Sequence, residues 1–147
     1  MSDGDLPFVA SLYASTRREE LAATDWPQEL QDAFLAQQHE AQHNFYRANY
    51  VGAEWLIIER EGEAVGRLYR VTWPREIRVI DISLIPAARG GGIGGAILAT
   101  IQDEARALRK AVSIHVEKNN RARSLYLRLG FEVIEDKGVY DLMEWRA

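Results

Sequence analysis

At 147 residues, with 47% hydrophobic and 27% charged residues, the chain suits one domain around a single core and has an ordinary globular composition. It contains no cysteine, which removes disulfides, thiolate metal sites and a cysteine nucleophile together. Its net charge of −4 argues against nucleic acid as a main partner, because phosphate binding draws on an excess of Lys and Arg.

Met1 leads into Ser2-Asp3-Gly4-Asp5 rather than a basic-then-apolar leader, and no apolar run approaches a membrane span; a cytoplasmic protein is expected. Residues 6–14 (Leu-Pro-Phe-Val-Ala-Ser-Leu-Tyr-Ala) read as a first strand. Thr16, ahead of residues 17–21, reads as the cap of a short helix. Asp25-Trp26-Pro27 opens a longer helix, whose apolar stripe is Leu30, Ala33, Phe34, Ala41, Phe45 and Ala48. His39 and His43 are four apart on it; with no third ligand beside them they are expected to be exposed, not metal-binding.

A hairpin follows, with residues 54–58 and 64–73 flanking the turn signal Arg60-Glu61-Gly62-Glu63. The strand 77–85 alternates Ile80, Ile82 and Leu84 with Asp81 and Ser83, and Pro86 ends it. A glycine loop leads into a helix with Ile93, Ala96, Ile97, Ile101, Ala105 and Leu108 on one face. Residues 111–116 return as a strand, 122–129 as a short helix, and 131–135 with 140–145 as a closing pair. The expected order is β-α-α-β-β-β-α-β-α-β-β, an α+β single domain over 1–147 whose one βαβ crossover makes the sheet mixed.

The loop, Arg89-Gly90-Gly91-Gly92-Ile93-Gly94-Gly95, reads as a phosphate cradle. Glycines have no Cβ to hold a diphosphate away from the backbone N–H groups, and the following helix leaves its first N–H groups unpaired. Arg89 can add a charge-assisted contact. Gly90, Gly92 and Gly95 also satisfy the dinucleotide pattern G-x-G-x-x-G, with Glu117 as its distal acid. That fold needs several parallel βαβ units and a second domain, and neither fits here. No Gly-Lys-Ser/Thr follows the glycines, which excludes a P-loop.

Arg89-x-x-Gly92-x-Gly94 after Leu84-Ile85-Pro86, with Asn119-Asn120-x-Ala122-x-x-Leu125-Tyr126-x-x-x-Gly130-Phe131 downstream, resembles the GNAT superfamily of acyl-CoA-dependent N-acyltransferases. The resemblance covers about residues 54–145 and reaches the N-terminal third only through element order. It implies a sheet splayed between its central strands. It also implies acetyl-CoA as co-substrate, held at the pyrophosphate by Arg89 through Gly95 and along the pantetheine arm by Ile82, Ser83 and Leu84. Asn119 or Asn120 would contact the arm; the count from Ala122 selects the first and the count from Val116 the second.

By helical spacing alone, Tyr126 is a core residue beside Ala122, Leu125 and Leu129. The resemblance makes it the proton donor to the departing thiolate, a task open to a phenol with an ordinary pKa of about 10. For the general base the choices are His115, Asp81 and Glu117, each equally readable as a surface or paired residue. Trp26, Tyr46, Tyr50, Trp73 and Tyr140 are available to line the acceptor site, or to fill the core. The implied activity is direct acetyl transfer to a primary amine, small or on a protein, in a ternary complex without metal; a homodimer is compatible with it. The rival is a non-catalytic acyl-CoA sensor or partner-binding module of the same fold.

Overall fold

The computed structural model describes residues 1–22 and 25–147. Its elements are α1 (Leu6–Ala22), α2 (Gln28–Asn49), β1 (Glu54–Arg60), β2 (Glu63–Thr72), β3 (Glu76–Leu84), α3 (Ile93–Leu108), β4 (Ala111–Glu117), α4 (Arg123–Arg128), β5 (Glu132–Lys137) and β6 (Tyr140–Trp145). The six strands form one sheet in the order β1-β2-β3-β4-β6-β5. β3 and β4 run parallel, joined through α3, whereas β4–β6 and β6–β5 are antiparallel. The mixed sheet matches the sequence-based expectation.

The expected first strand does not exist. Residues 6–14 are the front of α1, and Thr16 lies inside that helix, its hydroxyl donating to the Tyr13 carbonyl at 2.7 Å. A short apolar run fits period 2 and period 3.6 alike. The buried positions decide it: Val9, Leu12 and Tyr13 recur at helical spacing, and Pro7 sits in the first turn, where no N–H is needed.

The chain forms two compact units, Met1–Leu68 with Ser83–Arg89, and Tyr69–Ile82 with Gly90–Ala147. In the first, Tyr13, Leu21 and Leu35 form a core with Ala14 and Phe34 packed on it. α2 has the expected period but presents a different face. Leu30 and Phe45 are 50% and 58% exposed, while Leu35 and His39 are buried and Gln38, Gln42 and His43 half-buried. The polar side is inward because it has partners there: Gln42 Oε1 accepts from Arg67 Nη2 at 2.7 Å, and Gln38 Oε1 from the Tyr13 hydroxyl at 3.3 Å. A buried guanidinium demands such acceptors. The β1–β2 turn is Glu61-Gly62 with φ of 54° and 81°, the doubly left-handed geometry whose twist suits a two-residue hairpin.

In the second unit Ile77, Val79, Leu98, Ile101, Val112, Ile114, Phe131 and Met143 make the core. Arg70 of β2 grips Glu104 of α3 with both terminal nitrogens, at 2.7 and 2.9 Å. That hydrogen bonding holds the Glu104 carboxyl below its usual pKa. β5 is exposed along its whole length, and its register against β6 shifts between Val133 and Glu135.

Candidate active site

The parallel ladder between β3 and β4 runs from Glu76↔Ala111 to Val79↔Ile114. Both strands continue past its end, β3 to Leu84 and β4 to Glu117. β4 keeps its other partner throughout, since its pairing with β6 extends to Glu117↔Tyr140. The sheet therefore parts on one side only, between β3 and β4, beyond Val79 and Ile114.

At the far end of β3, Arg89 Nε donates to the Leu84 carbonyl at 3.1 Å, which folds the lip of the glycine loop back onto the strand. Gly90 and Gly92 have φ of 77° and 83°, which other residues rarely adopt. A Cβ on Gly90, Gly91 or Gly92 would meet no atom within 4 Å, so that stretch borders open space. Gly94 and Gly95 differ, lying against Leu125 of α4. Gly92 caps α3 without a side-chain bond, and the first amide to find a helical acceptor is Ala96, on the Gly92 carbonyl at 3.0 Å. The amides before it face a site suited to an anion, with the positive end of a 16-residue helix behind them.

Tyr126 is buried, 4% exposed, with its ring edge-on to Phe131 at 5.8 Å. Burial, and then the charge of Asp81, hold its phenol well above the ordinary pKa, so it stays protonated. Alternation along β3 places Asp81 on one face of the strand and Arg78 on the other. Arg78 donates Nε to Ser113 Oγ at 2.7 Å, lies 3.4 Å through Nη1 from His115 Nδ1, and stacks over Trp73 at 5.0 Å. The four candidates thus divide. The charge of Asp81 acts on Tyr126, while His115 and, two residues on along β4, Glu117 take the face of Arg78. Desolvation first, then the Arg78 charge, lowers the His115 pKa, so the ring is neutral at neutral pH.

Asn120 Oδ1 accepts from the Ala122 amide at 2.8 Å, opening the turn into α4. Asn119 stands exposed beside it. Of the aromatic candidates, Tyr46 and Tyr50 come together at 6.1 Å between centroids, and Trp26 packs edge-on to Phe34 at 5.3 Å. Trp73 stacks on Arg78, and Tyr140 starts β6, 43% exposed. His39 is buried and His43 half-buried, against the expectation of exposure, because the polar face of α2 turns inward. Among the described residues no three His, Asp or Glu are grouped to hold a metal. A basic concavity of about 550 Å³ lies elsewhere, lined by Arg75, Arg106, Arg109, Lys110 and Arg146, and touches none of these candidates.

Sequence reasoning missed Gly66. A Cβ there would fall 2.3 Å from the Ser83 carbonyl oxygen and 2.8 Å from Leu84 Cδ2, so only glycine lets β2 lie this close to the end of β3. An isolated glycine inside the β2 pattern was the available signal.

Residues 13–131 match the model of the Acetyltransferase (GNAT) family. The chain is 37% identical over 91 residues to an uncharacterized N-acetyltransferase, YhfO, of Bacillus subtilis; the match spans 56% of this chain and 60% of that protein's length. Its fold resembles the PaiA N-acetyltransferase of Thermoplasma acidophilum in complex with coenzyme A, at TM-score 0.73 and 16% identity over 100% of this chain and 96% of that one. It also resembles YncA, a putative acetyltransferase of Salmonella typhimurium with its cofactor acetyl-CoA, at TM-score 0.60 and 23% identity over 99% and 90%.

Proposed function

The chain belongs to the acetyltransferase (GNAT) family, and from that premise we propose that it moves the acetyl group of acetyl-CoA to a primary amine by direct attack, working as one domain in the cytoplasm. The observation that carries this reading is the parting of β3 from β4 beyond Val79 and Ile114, with an uncapped helix and an open glycine loop at the end of β3. The pyrophosphate lies on the amides of residues 90–95 with Arg89 beside it, and the pantetheine arm runs along Ile82, Ser83 and Leu84 like an added strand. Asn119 meets the arm, since Asn120 Oδ1 is committed to the turn.

The neutral amine attacks the thioester carbonyl carbon, a tetrahedral oxyanion forms, and the C–S bond breaks to leave an amide and CoA thiolate. The chain has no cysteine to carry the acetyl group, which supports transfer without a covalent enzyme intermediate. Tyr126 directs its hydroxyl hydrogen at the departing sulfur. Asp81, on the Tyr126 side, keeps that phenol protonated and is not the base. His115 takes the amine's proton through Nε2, directly or through water, while Arg78 stands at Nδ1; Glu117 is the second choice. Trp73, stacked on Arg78 beside His115, lends aromatic surface to the acceptor. A homodimer is compatible with this reading but is not required by it.

Titration of acetyl-CoA into the purified chain should give saturable heat at one site per chain, and NADH none. Thiol release should then follow with members of an amine panel. Tight NADH binding without CoA binding would refute the reading, and CoA binding without turnover on any amine would favour a sensor.

Because the His115 pKa is lowered, its basic form persists below the ordinary value of 6.5. The acid limb of kcat/KM should therefore lie below pH 6.5, and His115→Ala should remove that limb along with about 100-fold of the rate. A limb that survives the substitution unchanged assigns the proton to another group.

A further inference from the structure

The β3–β4 ladder starts at Glu76↔Ala111 and parts at its other end, so the start of β4 lies away from the proposed acyl-transfer site. There the basic concavity of about 550 Å³ opens. Separate stretches of chain supply its cations: Arg75 between β2 and β3, Arg106 with Arg109 and Lys110 at the end of α3, and Arg146 after β6. Their backbones are tied down. The Ala111 amide donates to the Arg75 carbonyl at 3.1 Å, and Val112 pairs with Trp145, which sets Arg146 beside the start of β4. The Arg109 amide turns back to the Ala105 and Arg106 carbonyls and closes the helix. All of these residues belong to one compact unit.

Cations in the last turn of a helix are ordinary, since they face the negative end of its dipole. That accounts for Arg106, Arg109 and Lys110, but not for Arg75 and Arg146, which reach the hollow from other elements. Arg106 donates to Asp103 at 2.8 Å and stacks over Trp145 at 5.2 Å, and Arg146 pairs with Glu144. Arg75, Arg109 and Lys110 form no ion pair among the described residues. Glu104, on which the Lys110 charge acts, is already held by both terminal nitrogens of Arg70. Gathering like charges in a hollow is unfavourable until an opposite charge joins them. Arg109 adds a second cost. Its φ is 57°, the left-handed end of a helix where glycine is the usual residue, yet the position carries a guanidinium that lines the hollow.

We propose that this concavity binds a small polyanion bearing more than one phosphoryl group, as a second ligand distinct from acetyl-CoA. Its volume falls in the range of about 300–1,000 Å³ usual for small-molecule sites. Guanidinium forks match phosphoryl oxygens in pairs, and cations arriving from separate stretches of chain are met together only by a ligand with several anionic groups. A protein partner would need a buried aromatic or apolar anchor, whereas the walls here are cationic. A nucleic acid would need a basic surface beyond one hollow, and the chain's net charge is −4. The coenzyme is placed elsewhere: α3 has 16 residues and is about 24 Å long, so a diphosphate on the glycine loop at its other end does not reach Arg109. The proposal stands whether or not the acetyltransferase reading does.

The test titrates inorganic pyrophosphate into the full chain, alone and with saturating acetyl-CoA, by calorimetry. With acetyl-CoA present, pyrophosphate should still give saturable heat at one site, weakening as salt is raised and at least about tenfold stronger than orthophosphate. Arg75→Gln and Arg109→Gly should each weaken that binding about tenfold or more and leave acetyl-CoA affinity unchanged. Arg109→Gly relieves the left-handed strain, so its urea midpoint should equal or exceed wild type, and lost binding then cannot come from lost folding. Absence of pyrophosphate heat, heat abolished by acetyl-CoA, or heat that neither variant changes would overturn the proposal. So would orthophosphate binding as tightly, or an oligoglutamate peptide or oligonucleotide binding where pyrophosphate does not. If acetyl-CoA itself gives no heat, the acetyltransferase reading falls, and the two variants still decide this site.

Discussion

Tyr126→Phe lowers kcat about 10- to 1000-fold while acetyl-CoA affinity and folding stay near wild type. The substitution removes one oxygen and leaves the ring, so the edge-on contact with Phe131 at 5.8 Å survives and no cavity opens. What is lost is a single O–H, held protonated by burial and the Asp81 charge. That raised pKa also sets how the group can act. Against a thiol that ionises at about 8.5 in water, such a phenol is a weak proton donor. It can hold a strong hydrogen bond to the sulfur as negative charge develops there, and such a bond is worth most in a water-poor site. Two measurements check this: single-turnover rates by thiol release, and acetyl-CoA dissociation constants by calorimetry. A mutant with wild-type turnover removes Tyr126 from the chemistry. A fall confined to coenzyme affinity would instead make it a binding residue.

Gly66→Ala is expected to cost about 1–3 kcal/mol of stability, through overpacking. It should also weaken acetyl-CoA binding at least tenfold. Gly66 has no left-handed φ, so alanine can adopt its backbone conformation, and restricting the unfolded chain would on its own favour the variant by about 0.4–1 kcal/mol. The contact decides the sign. The new methyl would need to occupy a point 2.3 Å from a backbone oxygen, and the bond from Ile85 N–H to the Val65 carbonyl, 2.8 Å, pins the strands on the next residue. Ser83 and Leu84 must move, and these are the residues assigned to the pantetheine arm. Urea melts together with calorimetry test the pair of effects. Lost stability with normal affinity would detach the arm from this part of β3.

From β1 onward the elements follow the sequence closely. Their boundaries are marked by residues with one local meaning: Gly62 in the hairpin turn, Pro86 after β3, the glycines before α3. The N-terminal region misled for two separate reasons. The run over residues 6–14 is too short for its period to be read without knowing what it packs against. On α2 the period is right and the face is wrong, because hydrophobicity ranks Phe45 above His39 and cannot register that Arg67 waits on β2. Gly66 escaped notice for a related reason, since its role depends on a carbonyl seventeen residues away in sequence. The glycine loop is legible because a loop and a helix start are local features, whereas spacing alone makes Tyr126 a buried helix residue, as it is, and its part in the chemistry comes from the family resemblance. The base is not legible, since choosing among His115, Asp81 and Glu117 requires knowing which side of the sheet each occupies.

β5 ends the sheet, and its six residues include Glu132, Glu135, Asp136 and Lys137. Its slipped register against β6 bends the outer row of amides and carbonyls away from a flat template. A neighbouring copy that tried to extend the sheet there would confront mismatched hydrogen-bond spacing and a mostly acidic ribbon of its own kind. The margin is thus poorly suited to lateral growth by a second copy.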